Sequence, residues 1–153
     1  MELDPGTAEA VRVVEDVTTE AVEAGKAQIT VEYSDGVAGL LKSLIPTNAR
    51  ACPVSLAADY PPQIDMFLGP EPTTVSYEFW RDDWSENLTR LRERLEAVLA
   101  GRYEQTIKTS KRNSIMVIGR FDRPQGQETH KVATQASADV KPGETYTLRF
   151  EPY

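Results

Sequence analysis

The chain has one histidine and one cysteine, His130 and Cys52, among its 153 residues. A zinc site needs several converging imidazoles, thiolates or carboxylates, and with so few soft ligands no metal or other cofactor is expected. A Ser-His-Asp arrangement would have to use His130. Its setting, Glu128-Thr129-His130-Lys131-Val132, reads as an exposed strand position, with Glu128 the nearest acid that could orient the ring. Cys52, before Pro53, reads as a small buried apolar side chain. No nucleophile elbow, phosphate loop or dinucleotide fingerprint is present. Gly36-Val37-Ala38-Gly39 lacks the Lys-Ser/Thr that a phosphate loop requires.

Three further groups carry chemical potential. Asp82-Asp83 is the only adjacent aspartate pair and stands between Trp80 and Trp84. Paired carboxylates can do acid–base work, but acids here also suit the first turn of a helix. Tyr103 and Glu104 follow a helix and could line a pocket, although a strand start with its ring in the core is the simpler reading. Trp80, Asp82, Asp83, Trp84 and Tyr103 are therefore the candidate binding residues, and no residue is assigned to catalysis. The third group is the basic run Lys108-Thr109-Ser110-Lys111-Arg112-Asn113, with Arg120 and Arg123 beyond it. A basic two-stranded ribbon can enter a nucleic-acid groove.

The net charge of −7 argues against nucleic acid as a general partner. That charge is uneven. Residues 1–83 hold 5 Lys and Arg against 15 Asp and Glu, a net of −10; residues 84–153 hold 12 against 9, a net of +3. The expected partner is another protein, of basic character, meeting the acidic N-terminal half; self-association stays open. The start, Met-Glu-Leu-Asp-Pro, shows neither a basic nor an apolar leader segment, and no apolar run approaches the roughly 20 residues of a membrane span. The expected location is the cytoplasm.

The elements that must position these groups follow from periodicity. Asp4 and Pro5 open a helix with Val11, Val14, Val17 and Ala21 on one side, and Gly25 stops it. Residues 27–34 alternate as a strand. Val37, Leu40, Leu41, Leu44 and Ile45 form a short helical stripe ended by Pro46. Residues 46–63, with four prolines, read as a long connection with room for a strand at 53–57. Ile64–Leu68 and Thr73–Trp80 form a hairpin. Leu88, Leu91, Leu95, Val98 and Leu99 stripe the clearest helix, with Arg90, Arg92, Glu93, Arg94 and Glu96 on its wet side and Gly101 at its end. Four strands follow, over 103–109, 115–121, 129–136 and 145–150; the second, apolar on both sides, is expected to be central and covered on both faces.

Strands that follow strands favour antiparallel pairing. The expected fold is a single α+β domain over residues 1–153, with a mainly antiparallel sheet of about six to seven strands and about three helices packed chiefly on one face.

The stretch from Asp65-Met66-Phe67-Leu68-Gly69 through Tyr77-Glu78-Phe79-Trp80 and the leucine-striped helix to Ala100-Gly101-Arg102-Tyr103-Glu104 resembles a type of small actinobacterial protein of uncharacterised role. Its strand–helix–Gly-x-Tyr-Glu layout is similar to that of immunity-type and accessory proteins. No biochemical role comes with the resemblance; the lack of reactive groups and the net charge of −10 over residues 1–83 point to a non-catalytic interaction module, immunity- or inhibitor-like in form. The alternative is a small-molecule-binding domain or unusual enzyme, with a pocket between the sheet and the Pro-rich 46–63 connection.

Overall fold

The structure, a computed structural model, describes residues 5–34, 39–59, 63–70, 73–80, 84–109, 114–135 and 143–153. Among them are two helices and nine strands, in the order α1 (Pro5–Glu23), β1 (Ala27–Ser34), β2 (Gly39–Pro46), β3 (Val54–Asp59), β4 (Gln63–Leu68), β5 (Val75–Trp80), α2 (Trp84–Leu99), β6 (Tyr103–Thr109), β7 (Ser114–Arg123), β8 (Gly126–Gln135) and β9 (Thr145–Arg149). The class is α+β with antiparallel pairing, but the strands form two sheets. One is a five-stranded meander, β1-β2-β3-β4-β5; the other has four strands in the order β8-β7-β6-β9.

Both helices end by the same device. Gly25 and Gly101 adopt positive φ (71° and 73°). Around them Gly25 N donates to Val22 O and Lys26 N to Ala21 O; Gly101 N donates to Val98 O and Arg102 N to Ala97 O. This paired arrangement satisfies the last helical carbonyls and needs a left-handed residue after the helix, a conformation glycine adopts without strain.

The helical stripe expected at 37–45 is instead strand β2, with residues 37 and 38 outside the described part. Its register sets Leu44 between Ile29 and Val54, and Lys42 between Val31 and Leu56. A short apolar run fits either period, and flanking strands on both sides decided the outcome. Lys42 consequently sits on the core side, buried, with its ammonium 3.1 Å from Glu15 of α1. The long connection at 46–63 likewise contains a full strand, β3, which pairs with β2 and β4.

The buried cluster draws on both helices and both sheets, with Val14, Leu44, Met66, Phe79, Leu91, Leu95, Ile107, Val117 and Phe121 among its members. α1 packs on α2, β1 and β4, and α2 reaches β5 of one sheet and β7 of the other. The helices therefore cover the inner faces of the sheets. β7 is internal to its sheet, but it is covered on one side only: Ile115, Val117 and Phe121 are buried while Met116 is 39 % exposed.

Candidate functional site

An open groove of about 560 Å³ lies between α2 and the β7–β8 hairpin. The helix contributes Glu86, Thr89, Arg90 and Arg94; the hairpin contributes Arg123, Gln125, Glu128 and His130. Spacings of three and four residues place the helical set on one stripe. The β7–β8 register sets Glu128 opposite Phe121 and His130 opposite Gly119, so alternation turns both toward the helix.

Arg94 forms the floor. Its side chain is 7 % exposed. Its Nε donates to Glu128 Oε1 at 2.7 Å, and Nη2 lies 2.6 Å from the same oxygen. The guanidinium carbon sits 5.2 to 5.6 Å from the ring centres of Phe79, Tyr77 and Phe121, within cation–π range. Burial lowers the Arg94 pKa from its ordinary value, while the charge and hydrogen bonds of Glu128 oppose that shift. On the other side Arg123 bonds Glu128 Oε2 and also Glu93, its Nε reaching Glu93 Oε2 at 2.7 Å. For Glu128, burial alone would raise the pKa; the hydrogen bond from His130 and the charges of Arg94 and Arg123 outweigh it and hold the carboxyl below its ordinary value.

His130 is part of this network. Its Nε2 lies 2.7 Å from Glu128 Oε1 and 2.9 Å from Arg94 Nη2. Donation to Glu128 requires a proton on Nε2, and acceptance from Arg94 requires its absence. The nitrogen is engaged inside the network in either case. The one hydroxyl on the helix side, Thr89, donates to Ser85 O. These contacts bind and orient; they do not present a nucleophile and base to a shared reacting atom. Among the described residues no group of three or more His, Cys, Asp and Glu is placed to hold a metal ion.

The sequence-derived candidates lie elsewhere. Asp82 and Asp83 fall outside the described residues. Trp80 closes β5, opposite Gln63. Trp84 opens α2, and its indole donates to Glu9 Oε2 at 3.2 Å, joining α2 to α1. Tyr103 is buried, its hydroxyl 3.2 Å from that of Tyr77 and accepting from Gln105 Nε2 at 3.0 Å. Its ring stacks on Phe150, with centres 5.7 Å apart. Gly119 makes room for these two hydroxyls, since a Cβ there would lie 2.1 Å from Tyr77 Oη. The basic run is split: 110–113 lies outside the described residues, Arg123 faces the groove, and Lys108 and Arg120 fall on the opposite side of the sheet.

Sequence reasoning missed Arg94, which it set on the wet side of the helix. One signal was present: Leu91, Arg94, Leu95 and Val98 follow the i, i+3, i+4, i+7 pattern of a buried stripe, and all four are buried. His130, read as solvated, is half-buried and bonded.

Compared with protein-family models, with curated proteins and with solved structures, the chain matches none. Among the described residues no helix is long and apolar enough to cross a membrane.

Proposed function

We propose that the chain is a non-catalytic binding module and that the α2–β8 groove is where it meets a protein partner. The observation that carries this reading is the lining: every side chain in it is charged or polar. Small-molecule pockets are mostly apolar with a few polar groups, whereas a wet, open, charged groove suits side chains at the rim of a protein interface.

The chemistry of the partner group follows from what is already neutralised. Arg94 and Arg123 are held by Glu93 and Glu128. Arg90, on the exposed lip, has no ion-pair partner among the described residues, and the amide of Gln125 lies across from it. An acidic side chain would find a guanidinium fork there. The acidic α1 surface, expected to face a basic partner, is partly engaged within the molecule: Glu9 accepts from Trp84, Glu15 pairs with Lys42 and Asp16 with Arg92.

Nuclear magnetic resonance titration with capped Asp- and Glu-containing dipeptides tests this. The expected result is shifts at Arg90, Gln125 and His130, with affinity lowered roughly tenfold, about 1.4 kcal/mol, by Arg90→Ala. Shifts that avoid the groove, or that persist unchanged in the variant, overturn it.

One observation favours a second reading, small-molecule binding. A cleft of about 400 Å³ lies between the proline-rich connection and the end of the second sheet, walled by Pro46, Pro53, Pro70, Leu148 and Phe150. A ligand panel that raises the melting temperature of the native chain and not of Phe150→Ala would support it; no shift with any compound would remove it.

A further inference from the structure

We infer that the outer face of the β8-β7-β6-β9 sheet is a second interaction surface, one that docks an acidic polypeptide segment carrying an apolar residue between its carboxylates. Strand alternation puts successive residues on opposite faces. The inner set includes Ile107, Val117 and Phe121, all buried. The pairing register then gathers four cations on the other face: Lys108 on β6, Arg120 on β7, Lys131 on β8 and Arg149 on β9. Among the described strand residues two acids share that face, Glu104 on β6 and Asp122 on β7. Glu104 meets Arg120 and lies 3.7 Å from Arg149. Lys108 and Lys131, both exposed, have no ion-pair partner among the described residues.

The two unpaired lysines bracket an apolar pair. Met116 stands directly opposite Lys108, and Ile118 directly opposite Lys131. Directly opposed side chains in an antiparallel ladder are about 5 Å apart at Cβ. Met116 is 39 % exposed, and neither helix packs on this side of the sheet. Lysines often guard sheet edges against aggregation; that role fits Lys131 on edge strand β8 but not Lys108, since β6 is an internal strand between β7 and β9.

Charge complementarity selects an acidic occupant, and the apolar centre selects polypeptide over nucleic acid. Single-stranded nucleic acid stacks its bases on aromatic rings. No aromatic residue falls on this face among the described residues, and the chain's net charge of −7 opposes a long polyanion. The other sheet differs in sign. Its outer face carries Asp65 and Glu78 and, among its described residues, no lysine or arginine.

The test is resonance mapping of the full chain with a short capped poly-glutamate peptide bearing a central leucine, at low and moderate salt. Expected are shifts at Thr106, Lys108, Met116, Ile118 and Lys131 that weaken with salt. A Lys108→Glu/Lys131→Glu variant should lower the affinity read from these outer-face shifts roughly tenfold or more. Both lysines are exposed, so the variant's far-ultraviolet dichroism and melting should match the parent. Three results would overturn the inference: shifts confined to the α2–β8 groove, tighter binding of oligothymidine than of the peptide at equal salt, or shifts on this face produced by raising the protein concentration alone.

Discussion

Arg94 Nε donates to Glu128 Oε1 at 2.7 Å, and this contact fastens the middle of α2 to the third residue of β8. The guanidinium lies beneath the groove and over three aromatic rings. Among the described residues it is, with Lys42 and Asp65, one of the buried charged side chains. A charge so placed is costly to leave without its partner.

Removing Arg94 should therefore be among the most damaging single changes at a polar position. Arg94→Met is expected to cost about 3 kcal/mol, because Glu128 keeps only Arg123 and His130 in a half-buried site. Arg94→Lys should not restore stability, since an ammonium cannot reproduce the fork or lie flat on the rings. Urea unfolding of the two single variants and of Arg94→Met/Glu128→Gln measures the coupling. The double variant should lose less than the sum of the singles by about 1 kcal/mol or more. Strict additivity would mean that the two side chains act independently.

The same carboxylate sets an acid limb. Glu128 has its native pKa below its unfolded value, so the folded state favours the ionised form. Its contribution to stability is complete above the ordinary carboxylate range and is lost as pH falls through the lowered native value. Unfolding free energy measured from pH 7 down to pH 2 should fall more gently in Glu128→Gln than in the parent chain. Identical slopes would assign the acid limb to other carboxylates.

Gly119 should be intolerant of alanine. Its backbone needs no left-handed conformation, and the constraint is space: the added methyl would meet Tyr77 Oη at 2.1 Å and Tyr103 Oη at 3.0 Å. Both rings are buried and cannot swing aside without repacking against Phe121 and Phe150. Overpacking of this kind costs about 1–3 kcal/mol. Gly119→Ala should lose that much by denaturant midpoint, and adding Tyr77→Phe, which removes the clashing oxygen, should recover part of it. No recovery would place the damage in the strand backbone.

Local rules made some of this molecule legible and not the rest. The helix ends at Gly25 and Gly101 could be read because a left-handed residue after a helix is a local requirement. The 64–80 hairpin and the last four strands could be read from alternation. The 37–45 stripe was misassigned because Leu40, Leu41 and Leu44 satisfy a helical period as well as a strand that buries Leu44 and Lys42. Division into two sheets depends on which strand edges meet, and periodicity holds no information about that. The groove was invisible for a related reason. Arg94, Arg123 and Glu128 come from three elements, and nothing local announces that a charged residue will be buried against a distant partner. Trp84 and Tyr103 were noticed for their types, yet each spends its polar atom on another element of the fold.

Cys52 gives a prediction at the alkaline end. Its side chain is fully buried, and that burial pushes the thiol up to about 12, against a smaller opposing effect from the backbone of Gly69. The unfolded thiol titrates nearer 9. The folded state therefore holds this proton more tightly. The resulting stability is complete below the unfolded value and is lost as pH rises from about 9 through about 12. Two outcomes are expected. A thiol-specific disulfide reagent at pH 8 should modify the native chain only at the rate of local or global opening, while the urea-unfolded chain reacts at once and to completion. Cys52→Ala should cost about 1 kcal/mol at neutral pH through the small cavity it leaves, yet lose less further stability than the parent between pH 9 and pH 11. Rapid native modification would show that the 51–53 segment opens readily. Parallel alkaline limbs would transfer that part of the pH dependence to Tyr77 and Tyr103, whose hydroxyls burial also pushes upward.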